Sequence, residues 1–191
     1  MIKWNISNIL FDNIDIVYED KFFKSNIRSI TWINNIVREM TKFTEIIKQV
    51  TSNKMLLEST FTVDSTPITS IKHYKDKLYY FPIINQAKTL VNFCPHSYNV
   101  WIPKEGRGIF PPVMGSAVTY IRDQVSVFHT SKDRLDNPGG WATSKGGMIH
   151  EFWHIISGRI HNIDSSYMLP TNHVPHPDYP ALFDHVPYNL L

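Results

Sequence analysis

Cysteine is almost absent from this chain: Cys94 is the single one in 191 residues, so no internal disulfide can form. Stability must come from packing, and a reducing compartment suits such a chain. No stretch approaches the roughly 18 apolar residues of a membrane-spanning helix. Met1 to Ser7 lacks the uninterrupted apolar core and small-residue cleavage site of a secretory leader. The expectation is a soluble protein, with the cytoplasm favoured. Charge of one sign is scarce too. Nineteen Lys and Arg against 17 Asp and Glu leave a net +2. Without a long basic run, that gives no case for nucleic acid or an anionic membrane as partner. No internal repeat occurs, and the abundance of Asn, Ile and Lys has no functional reading.

What is present is enough for one packed domain spanning 1–191, with 42% hydrophobic and 13% aromatic residues. From Ser25 to Thr51, Ile27, Ile30, Ile33, Val37, Met40, Phe43, Ile47 and Val50 recur at helical spacing and predict a long helix. Alternation of Ile14, Ile16 and Tyr18 predicts a strand over Asn8 to Tyr18. Further strands are expected over Leu56 to Val63, Lys77 to Ile83, Thr89 to Ile102 and Ala117 to Phe128, with a loop from Gly106 to Pro112. This order of elements is that of an α+β fold.

The chemistry is concentrated in Gly147 to His161. His150, Glu151 and His154 form H-E-x-x-H, a pattern that shuffling would yield roughly 0.01 times per chain of this composition. Spacing of i, i+4 puts both imidazoles on one helical face, where they can share a zinc ion while Glu151 reaches a metal-bound water. Thr143 or Ser144 offers an N-cap oxygen. Met148, Ile149, Phe152, Ile155 and Ile156 form the buried stripe, and Gly158 stands where a left-handed C-cap would end the helix. A turn there would bring His161 back toward the metal.

These residues resemble the metzincin group of zinc endopeptidases, whose pattern is H-E-x-x-H-x-x-G-x-x-H followed by a methionine-containing turn. Here the segment reads H-E-F-W-H-I-I-S-G-R-I-H, with one extra residue before Gly158. That residue rotates the exit by about 100° and advances it about 1.5 Å. The resemblance implies a metzincin-like zincin domain: a twisted mixed sheet, a long backing helix and an active-site helix in an upper subdomain of 1–158, above a small irregular lower subdomain of 159–191. It implies one zinc ion per chain held by His150, His154 and His161, with Asp164 as alternative third ligand and Met168 as the methionine of the turn. It also implies a polypeptide substrate laid along an edge strand near Ala117 to Phe128.

Other families fit less well. No Glu follows Glu151, which removes the gluzincin third ligand. Asp164, Asp178 and Asp184 lack an aspzincin context, and Cys94 lacks the flanking residues of peptide deformylases. A zinc endoribonuclease family with H-G-x-x-H has Gly where this chain has Glu151. His173, His176 and His185 follow no zinc-site spacing. The expected function is zinc-dependent peptide hydrolysis with Glu151 as general base. A zinc hydrolase acting on a non-peptide substrate, or a non-catalytic zinc-binding protein, are the alternatives.

Overall fold

The computed structural model describes residues 1–18, 21–26, 30–70, 72–74, 77–79, 81–103, 117–120, 123–130 and 147–163. The chain order is β1 (Ile2–Phe11), β2 (Asn13–Tyr18), β3 (Lys21–Asn26), α1 (Ile30–Val50), β4 (Met55–Asp64), β5 (Lys72–Tyr74), β6 (Lys77–Tyr79), α2 (Phe81–Thr89), β7 (Ser97–Pro103), β8 (Ala117–Tyr120), β9 (Val125–Thr130) and α3 (Gly147–Ile163). The fold is α+β, built on a five-stranded sheet in the order β4-β1-β7-β9-β8. β4, β1, β7 and β9 run parallel, and β8 closes the β9 edge antiparallel to it. Two small antiparallel ribbons, β2-β3 and β5-β6, stand apart from this sheet.

Side chains of the central strands alternate between two cores. Trp4, Ile6 and Leu10 of β1 join Trp101 and Phe128 under residues of α1 and α3. Ile9, Phe11, Val100, Ile102, Val125 and Val127 face the other way, toward Ile84 and Ala87 of α2. Where the sheet is covered on both faces it has no polar side, so β1, β7 and β9 are buried almost throughout rather than at every second residue, whereas β4 is exposed or half-buried beyond Leu57. Polar groups inside it are bonded across strands. Asn8, fully buried, donates from Nδ2 to the Thr60 carbonyl (3.1 Å) and accepts at Oδ1 from Trp101 Nε1 (3.1 Å) and Asn99 Nδ2 (3.2 Å).

Several boundaries differ from the sequence expectation. The strand expected over Asn8 to Tyr18 is two, broken at Asp12, because β1 is buried on both faces and carries no alternation. The long helix begins at Ile30, with Ser25 and Asn26 belonging to β3. It ends in a Schellman motif: Ser52 takes a positive φ of 51°, its N–H reaches the Gln49 carbonyl, and the Asn53 N–H reaches that of Lys48. Lys77 to Ile83 is only partly strand, since α2 starts at Phe81 with Pro82 in its first turn, a position where the missing N–H costs no helical bond. Thr89 belongs to α2, and β7 starts only at Ser97. Ala117 to Phe128 holds two antiparallel strands rather than one, and Gln124, immediately before β9, has φ of 57°. The expected loop from Gly106 to Pro112 lies outside the described residues. No described helix is long and apolar enough to cross a membrane.

Candidate functional site

Helix α3 is anchored by its apolar stripe. Met148, Ile149, Phe152, Trp153, Ile155 and Ile156 are all buried in the core shared with α1 and β1. The ring of Phe152 meets Trp4 of β1 edge-on at 5.6 Å and Phe43 of α1 edge-on at 5.4 Å. Such aromatic pairs add about 0.5–1.5 kcal/mol each to the gain from burial. They fix the rotation of α3 about its axis, and that rotation decides where the motif residues point.

Glu151 lies next to this stripe and is only 6% exposed. Its carboxylate Oε2 accepts a hydrogen bond from the Thr119 hydroxyl on β8, and the same hydroxyl lies 3.3 Å from the Glu151 carbonyl. Thr119 in turn is 2.9 Å from the Ser126 hydroxyl, its register partner on β9. Burial raises the Glu151 carboxyl from its ordinary 4.5 to about 7, with the Thr119 hydrogen bond opposing part of that rise.

His150 and His154 are carried by the same continuous helix, with backbones about 6 Å apart along the axis as i, i+4 requires. The His154 side chain is half-buried; that of His150 lies outside the described residues. The backbone spacing of the two fits a shared metal ion. His161 does not follow the expected path. The turn at Gly158 is absent, and α3 continues through it to Ile163. His161 therefore sits seven residues beyond His154 in unbroken helix, about 10 Å farther along the axis. No returning loop brings it back beside the pair, and its side chain is outside the described residues.

The reason lies in the contacts around Gly158. That glycine is itself buried, and Arg159 beside it donates from Nη2 to the Gln124 side-chain oxygen (2.6 Å) and to the His96 carbonyl (3.0 Å). Its guanidinium also lies 4.7 Å from the centre of the Trp4 ring. These tertiary contacts outweigh the roughly 1 kcal/mol by which glycine disfavours a helix interior. His96, whose Nδ1 accepts the Asn5 N–H at 2.9 Å, is held toward its neutral form, first by burial and then by Arg159.

Asp164, Met168, His173, His176, Asp178, Asp184 and His185 all lie outside the described residues. Among the described residues no three His, Cys, Asp or Glu side chains converge as a metal-binding group. Cys94 is exposed. The chain matches no protein-family model, no curated protein and no solved structure.

Thr119, Ser126 and Arg159 had no signal in the sequence. A threonine or serine in a strand is ordinary composition, and only the pairing of β8 with β9 under α3 joins the first two to Glu151.

Proposed function

We propose that this chain is a zinc-dependent metalloendopeptidase of metzincin-like build, in which His150 and His154 hold the ion and Glu151 is the general base. The observation that carries the reading is the placement of Glu151. It stands between two histidines spaced one turn apart on a single helix, withdrawn from solvent, and its carboxylate faces the edge strand β8.

The ligand chemistry suits zinc: two imidazoles leave positions for a third ligand and for water. When bound, zinc makes a water more acidic and polarises a carbonyl. Glu151 takes the proton of the attacking water and passes it to the leaving amine, the two tasks a peptide bond requires of one acid-base group. Among the described residues β8 is the last strand of the sheet, beside Glu151, and an extended peptide can add to such an edge through main-chain hydrogen bonds. The long helix α1 packs on the same sheet face as α3, which agrees with the backing helix of the resemblance. The continuous helix through Gly158 leaves His161 out of the proposed set, which rests on the His150 and His154 pair.

The test is metal content and hydrolysis together. Wild-type protein binds about one zinc per chain, lost in His150→Ala. Glu151→Gln keeps zinc and abolishes cleavage of a quenched-fluorescence peptide library. Zinc binding without peptide cleavage in the wild type sinks the peptidase reading in favour of a non-peptide hydrolase or a non-catalytic zinc protein.

A further inference from the structure

We propose that Thr119 is a positioning residue for Glu151, set in place by Ser126; this rests on the reading of Glu151 as general base. The three side chains form one directed chain of hydrogen bonds. An ionised carboxylate only accepts, so the hydroxyl between it and Ser126 must give its proton to Glu151 Oε2. The Thr119 oxygen then accepts from Ser126, 2.9 Å away and almost fully buried on the neighbouring strand β9. Ser126 thus fixes the direction in which the Thr119 proton points.

The consequence for Glu151 is geometric. Oε2 is occupied by Thr119, whereas Oε1 has no hydrogen bond from any described residue. One oxygen anchors the group and the other is left to take a proton from water. A long carboxylate side chain that must meet a water in one orientation loses rate if it is free to rotate. Thr119 suits the anchoring role because its β-branched side chain has few rotamers and its backbone is held in register against Ser126. It belongs to the edge strand, so the residue that orients the base also sits beside the backbone that would receive substrate.

The experiment compares wild type, Glu151→Gln, Thr119→Val, Thr119→Ser and Ser126→Ala, each zinc-loaded, on the best-cleaved peptide of the library. Thr119→Val keeps the shape of the side chain and removes the hydroxyl. We expect kcat to fall about 10- to 100-fold, with KM unchanged and zinc affinity, read by chelator competition, the same as wild type. Thr119→Ser restores most of the rate. Ser126→Ala, which leaves Thr119 in place and keeps the proposal testable should Thr119→Val not fold, lowers kcat roughly 3-fold. Unchanged kcat in Thr119→Val, or in Ser126→Ala where the former does not fold, overturns the positioning role alone, as does a loss that serine fails to restore. A Thr119→Val protein that loses zinc overturns it too, because the residue then acts on the ligands. Cleavage that is absent in wild type, or that persists in Glu151→Gln, overturns the reading of Glu151 and this inference with it.

Discussion

Glu151 is the residue on which the proposed chemistry and the stability of the fold meet. A carboxyl raised from 4.5 to about 7 binds its proton more tightly in the folded chain than in the unfolded one. Its contribution to stability is therefore complete below about pH 4.5 and is lost as pH rises through about 7. A shift of this size corresponds to something on the order of 3 kcal/mol. In metal-free protein kept with a chelator, the urea midpoint should fall between pH 5 and pH 8, and Glu151→Gln should remove most of that fall. Equal slopes in the two proteins would mean that Glu151 is not held in a water-poor site. Nothing in the motif itself foretells this: H-E-x-x-H sets the spacing along the helix, but burial depends on β8, which is distant in sequence.

At the scale of elements, what could be read in the sequence followed periodicity. Helix α1 was legible as a helix from its repeat, and β4 from its run of apolar and β-branched residues, but the buried face of α1 matches the expected one only from Met40 on: Met40, Phe43 and Ile47 are buried, whereas Ile30 and Val37 are exposed and Trp32 and Ile36 fill the core positions of the first turns. β1 was only partly legible, since Ser7 and Asn8 sit in its buried centre and interrupt the apolar run. α2 was missed because Phe81-Pro82 reads as a strand ending, although proline fits the first turn of a helix. The motif helix was legible in its buried face but not in its length, and the N-cap expected at Thr143 or Ser144 lies outside the described residues. Gly158 is a stop signal by local chemistry, and it is overridden by Arg159 bonding to Gln124 and His96 and lying over Trp4. Arg159→Ala should therefore destabilise the protein by about 2 kcal/mol, from lost hydrogen bonds to a charged group and a lost cation–π contact. Amide exchange should accelerate mainly after Gly158, while residues 148–156 stay protected. If those earlier amides exchange equally fast, the helix is one unit and Arg159 is not its clamp.

In the whole molecule the sheet is the frame, and α3 is tied to it by its apolar stripe, by Arg159 and by an aromatic junction at Phe152. Phe152 touches both Trp4 and Phe43, so a single side chain joins the motif helix to β1 and to α1. Phe152→Ala should lower global stability by about 3–5 kcal/mol, seen as a shift of the entire urea transition with no separate early phase. A separate early phase would show that α3 unfolds on its own and that the motif is not part of the main core. The same junction explains how the helix that carries the proposed base is held against the edge strand: its orientation is set on the apolar side, and the hydrogen bonds of Thr119 and Ser126 lie on the polar one.

The central claim, that His150, His154 and Glu151 form a zinc-dependent hydrolytic unit, is tested most directly by peptide-library hydrolysis with zinc stoichiometry measured on the same samples. The account predicts about one zinc per chain in both wild type and Glu151→Gln, with cleavage in the wild type alone. A wild-type protein that takes up no zinc, or a Glu151→Gln protein that cleaves as fast as the wild type, contradicts it.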